Sequence, residues 1–272
     1  MKKCVAIGLA LIVFAGVGLA QPAEQFRVIT VNGSVENTKT KKQLQPGDRI
    51  GPSDALKFGS REAYVIVISP KVGRKKISGV PDSNPRELEN LVKSFLKPDE
   101  KSTGTRGSIE YWDALNQSLK DTVLILGDGI VPLDKEYINL DKPAVVVAFF
   151  KGKNNQHITR VVSRGQNLCL SARCLFENEL PERFGYLLVE YYENEKDSRD
   201  LPGSGKYIGY FVPNFANPAN LEREARIISE TLTDHSRDHV IKEIKKYLSE
   251  EYGHVQDDNL LQWLKDIKLI NP

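Results

Sequence analysis

Residues 63–68 spell AYVIVI, an uncharged run built on Val65, Ile66, Val67 and Ile68. β-Branched residues in so short a run predict a strand, since they pack well on a pleated surface and lose rotamer freedom in a helix. Working outward, Phe26, Val28 and Thr30 alternate with Arg27, Ile29 and Val31, and Asn32-Gly33 supplies a turn. Gly47-Asp48 and Gly73 carry turn chemistry between further period-two segments. Residues 21–80 are therefore expected to form a small β barrel or sandwich of about five to seven strands.

The pattern changes over residues 81–120. Asn84 as cap, Pro85 at the first helical position and Glu87 reaching back form a helix-start signature, with Leu88, Leu91, Val92 and Phe95 on one face. A short helix is expected over 85–96. Residues 97–107 (KPDEKSTGTRG) then have the composition of a linker.

Strand-like runs return over residues 121–216: TVLIL at 122–126, AVVVAFF at 144–150, HITRVV at 157–162, YLLVEYYE at 186–193 and YIGYFV at 207–212. Without helical periods between them, they predict a second, antiparallel β-sandwich and not a βαβ enzyme fold. Residues 217–272 switch to a helical period. Asn217 caps, Pro218 follows, and Leu221, Ala225, Ile228 and Leu232 lead on to Val240, Ile241, Ile244, Tyr247 and Leu248, with a stop at Gly253. Asp257 or Asp258 is expected to cap a final helix bearing Leu260, Trp263, Leu264 and Ile267. Such a tail needs an apolar partner, either its own sandwich or another chain, and docking on the adjacent sandwich is expected. The chain thus has a mainly β fold with α, in which a linker with a short helix joins two β modules and helices close the sequence.

At the other end, Lys2 and Lys3 precede an uncharged apolar run, residues 4–19, which ends in small residues at Gly18 and Ala20. This is the order of a cleavable secretory signal over residues 1–20, with the mature chain starting at Gln21 and no permanent membrane anchor. Cys4 stands at the start of the run, before its apolar core, where a lipid-modified cysteine would follow that core. Removing Lys2 and Lys3 leaves 36 basic against 36 acidic residues. That balance offers no global field for nucleic acid, and the one basic cluster, residues 71–76 (KVGRKK), has no interleaved aromatics and suits a solvated strand end.

Only Cys169 and Cys174 remain after cleavage. If residues 168–170 and 174–176 form a hairpin, the two cysteines face each other, and an oxidising compartment would pair them. Closing so short a loop would add about 2 kcal/mol or less.

The N-terminal module resembles the FecR-like domain of bacterial envelope proteins. The likeness rests on residues 28–35 (VITVNGSV), 44–50 (LQPGDRI), 54–67 (DALKFGSREAYVIV) and 69–78 (SPKVGRKKIS). Pro52-Ser53-Asp54 replaces the family's second glycine turn, and Gly73 lacks an acidic neighbour. The resemblance implies an extracytoplasmic β module engaged in envelope sensing or protein contacts, without catalytic residues. The remainder is similar to exported proteins of Bacteroidetes-type bacteria whose role is uncharacterised, and implies no function.

Local motifs do not assemble a catalytic set. On one helix, Asp234-His235-Ser236-Arg237-Asp238-His239 would stack His235 over His239, a candidate metal pair, yet Ser236 stands where a zincin needs its glutamate base. Gly203-Ser204-Gly205-Lys206 lacks the first glycine of a phosphate loop, which would fall at Asp200, and has Tyr207 in place of the magnesium-binding hydroxyl. As a nucleophile elbow it fails at Pro202 and Lys206. Tyr191, Tyr192, Tyr207 and Tyr210 lie on neighbouring strand candidates and form the candidate partner surface, for a peptide, glycan or protein.

These features suit an exported binding or scaffolding protein of the bacterial envelope, with an envelope or extracellular protein as partner and no cofactor. The competing reading is a metal-dependent extracytoplasmic hydrolase on the His235/His239 face, which requires His157 or His254 to converge there with carboxylates.

Overall fold

Both faces of the strand at residues 64–69 are buried, and this fact organises the molecule. The computed structural model describes residues 24–79, 86–87, 121–132, 145–151, 156–161, 163–164, 167–171, 187–193 and 206–271, with side chains in 24–79, 121–129, 169–171 and 210–271. Residues 1–23, residues 88–120 and Cys174 lie outside them.

The N-terminal strands are β1 (Phe26–Asn32), β2 (Val35–Asn37), β3 (Lys42–Gln43), β4 (Arg49–Ile50), β5 (Ala55–Phe58), β6 (Tyr64–Ser69), β7 (Gly73–Ser78) and β8 (Arg86–Glu87). They make two antiparallel sheets, ordered β4-β1-β6-β7 and β3-β2-β5-β8. Val65 and Val67 of β6 join Phe26, Val28, Val35, Leu56, Phe58 and Ile77 in a core shared by the two sheets. Ile66 and Ile68, on the opposite face, enter a second core with Ile29. A strand with no polar alternate is the signature of burial on both sides. Gly33 (φ +72°) links β1 to β2, where an added Cβ would lie 3.1 Å from that of Ala63.

The expected helix over 85–96 is corrected at its start, because Arg86 and Glu87 form β8, paired as Leu56↔Arg86 and Ala55↔Glu87. The open edge of β5 offers backbone partners that a local capping signature does not outcompete.

The middle of the chain contributes β9 (Thr122–Leu124), β10 (Ile130–Pro132), β11 (Val145–Lys151), β12 (Gln156–Val161), β13 (Ser163–Arg164), β14 (Asn167–Cys169), β15 (Leu187–Glu193) and β16 (Lys206–Asn214). One sheet runs β12-β11-β15-β16-β9 and another β10-β14-β13. Its pairings are antiparallel except one: β9 lies parallel to β16, in the register Val212↔Thr122 to Asn214↔Leu124, which corrects the expectation of a wholly antiparallel sheet. Leu168 pairs with Val131 of β10 and with Ser163 of β13, while residues 174–176 of the expected cysteine hairpin lie outside the described residues.

Three helices follow: α1 (Pro218–Thr231), α2 (Arg237–Tyr252) and α3 (Asp257–Asp266). Asn217 Oδ1 accepts from the Ala219 and Asn220 N–H groups, and Ser236 Oγ accepts from His239 N–H. Gln256, not an aspartate, occupies the α3 cap, with Asp257 and Asp258 in its first turn, where they favour the helix dipole.

These helices do not rest only on the neighbouring sheet as expected. Leu221, Ala225, Ile228, Ile244, Tyr247 and Leu248 share a core with Ile29, Ile66 and Ile68 of the first sheet and Leu124 and Leu126 beside β9. Burying the isoleucines of this sheet face against α1 and α2 supplies the driving force. The far end of the chain therefore completes the domain that the near end begins.

Candidate functional site

The seam between sheet and helices is polar at its rim. Arg27 pairs with Glu230 at 2.8 Å, Arg74 with Glu250 at 2.7 Å and Lys76 with Glu251 at 2.9 Å. Arg74 also lies 5.6 Å from the Tyr247 ring centre, and Lys76 lies 3.9 Å from that of Tyr64. The basic cluster at residues 71–76 is thus not a solvated strand end: two of its cations fasten β7 to α2. Tyr64 donates its hydroxyl to Glu251 at 3.0 Å, and burial together with that carboxylate pushes the phenol up to about 12.

Inside the seam sits Glu224 of α1, only 2% exposed. Its Oε2 accepts from the Tyr252 hydroxyl at 2.8 Å, while the hydroxyls of Tyr247 and Thr30 face it. Burial raises the carboxyl above its ordinary value, against the opposing effect of these hydroxyls and of Arg223. Burial and the Glu224 charge raise Tyr247 and Tyr252 as well. Nothing in the sequence pattern marked Glu224, because a glutamate at an apolar helix position looks like an exposed residue until its partner strand is known.

Asn259 ties α3 to the middle of the chain. Its Oδ1 accepts from Leu126 N–H at 3.1 Å and its Nδ2 donates to Leu126 O at 2.9 Å, so one buried amide imitates a strand partner. His254 bridges the other side of β9, through its N–H to Thr122 O at 2.8 Å and its carbonyl to Leu124 N–H at 2.9 Å.

The histidine pair does come together, though not on one helix. His235 lies in the connection before the Ser236 cap and His239 in the first turn of α2, with ring centres 4.7 Å apart and planes at 21°. Facing rings do not converge their lone pairs on one ion. His254 follows the opposite end of α2, a helix of 16 residues and thus about 24 Å long, so it does not join the pair. His157 is placed on β12 opposite Phe150, and its side chain lies outside the described ones. Among the described residues no group of three metal-ligating side chains occurs.

The tyrosine candidates lie on the five-stranded sheet. Tyr192 is opposite Tyr207, Tyr191 opposite Gly209 and Tyr210 opposite Glu190, with a register shift between Tyr191 and Tyr192. Tyr210 is half exposed, the most exposed large hydrophobic residue among the described ones. Cys169 is buried, with Sγ 3.7 Å from Asp128 O and from Ser171 Oγ.

No family model matches this chain, and neither a curated protein nor a solved structure is similar to it. Among the described residues, no helix is long and apolar enough to cross a membrane.

Proposed function

We propose that this chain is an exported, non-enzymatic binding or scaffolding protein of the bacterial envelope, which contacts a protein partner through the tyrosine-bearing sheet. The reading rests on one observation above others: Tyr210 stands half exposed on the strand that also sets Tyr207 opposite Tyr192. Tyrosines offer large contact area with a polar tip at small entropic cost, which favours them at interfaces. The signal-like first residues and the FecR-like pattern supply the compartment, and the pairing of Cys169 with Cys174 belongs to the same reading.

The test is a pull-down from envelope extract with the mature chain, using a photo-crosslinker at position 210 and the Tyr210→Ala variant. One specific crosslinked protein, with binding weakened about tenfold by Tyr210→Ala, is the expected result. Stoichiometric metal that disappears in the His235→Ala/His239→Ala double variant would instead count against this reading and favour the hydrolase alternative.

A further inference from the structure

A second surface is built by α1 and the corner of the first sheet. There, Arg27 of β1 and the Pro46-Gly47 turn face Glu222, Arg223, Arg226 and Glu230 of α1 across a groove of about 410 Å³. Its charges do not cancel. Glu230 is held by Arg27 Nη1 at 2.8 Å, and Glu222 Oε1 accepts from both Nε and Nη2 of Arg226, at 2.9 and 2.8 Å. Arg226 is fixed further by donating to Ile267 O at 2.6 Å. With Glu222 and Glu230 matched, Arg223 has no ion pair across the groove, and its charge acts only at longer range on the buried Glu224. Arg223 Nη2 donates only to the neutral Asn220 Oδ1 at 3.0 Å. Arg27 Nε is buried and has no acceptor among the described residues. The first turn of α1 carries no acidic residue to offset this surplus.

We propose that this groove binds a small anion through a carboxylate or phosphate group, with Arg223 as its principal contact. A guanidinium presents paired N–H donors in a plane that matches two oxygens of either group. Arg226 and Arg27, already oriented by their glutamates, line the approach. The volume falls within the range of small-molecule sites. The site is separate from the tyrosine sheet, and neither proposal depends on the other.

Calorimetric titration of the purified chain with citrate and with inorganic phosphate, repeated at about 0.15 M chloride, tests the assignment. Saturable one-site binding of at least one probe is expected. Arg223→Gln should weaken it about tenfold with an unchanged melting temperature, and Glu222→Gln, which frees Arg226, should tighten it about threefold. Arg61→Gln, at an exposed turn elsewhere, should leave it unchanged. Absence of saturable binding, or equal losses in the Arg223 and Arg61 variants, would overturn the proposal. So would binding to phosphatidylglycerol vesicles without binding of either soluble probe, because the surface would then be a membrane contact.

Discussion

At the scale of single residues, Glu224 offers a prediction whose sign runs against the usual expectation for a hydrogen-bonded carboxylate. Burial outweighs its hydroxyl partners, so the folded state holds its proton more tightly than the unfolded chain does. Its contribution to stability is therefore present below the unfolded value of 4.5 and is lost as pH rises through the higher folded value. Glu224→Gln keeps an acceptor for Tyr252 and removes the buried charge. Urea unfolding at neutral pH should show the variant more stable, on the order of 1 kcal/mol, with a flatter dependence on pH between acid and neutral conditions. A less stable variant at neutral pH would show that the ionised carboxylate is needed. Core truncation has the ordinary sign: Ile66→Ala, at a residue with no exposed surface, should cost about 2 to 5 kcal/mol in the same assay.

At the scale of elements, the connection after α2 is the most constrained. Gly253 has φ +110°, and an added Cβ would lie 2.6 Å from the Thr122 carbonyl oxygen, which is itself hydrogen-bonded to His254 N–H. Gly253→Ala should destabilise by about 1 to 3 kcal/mol, measured by thermal or urea unfolding, because it strains the backbone and pushes α2 away from β9. The helices of the tail were legible in the sequence because Asn217, Pro218 and the apolar spacing all favour the same local structure. At Pro85 and Glu87 the local signal was equally clear and was overridden, since the ladder with Ala55 and Leu56 connects segments that no window of sequence compares. Ile66 and Ile68 showed that a strand existed; the identity of the surface covering their face depended on residues far along the chain. Arg74 and Lys76 were hidden for the same reason, as their partners Glu250 and Glu251 look like ordinary charges on a helix. The tyrosine strands were found from their β-rich composition, whereas the register that sets Tyr192 against Tyr207 could come only from pairing.

At the scale of the whole molecule, the two ends of the chain share one core, and Arg27 meets Glu230 across 203 residues of sequence. Unfolding should consequently remove the first sheet and the three helices together. Trp263 fluorescence in a Trp112→Phe background and a probe on β7 should report the same urea midpoint. Two separated transitions would show that the sheet stands without its helical cover. Contacts of such long range also predict slow folding, because a large loop must close before the isoleucine face is sealed.

That late closure makes exposure of the first sheet depend on whether the helices have been made. A ribosome that stops early releases a sheet with Ile29, Ile66 and Ile68 bare, a product that sticks to its neighbours and invites proteolysis. A chain that lacks α1 and α2 leaves that face bare, so burial of the first sheet depends on residues made far later in the chain.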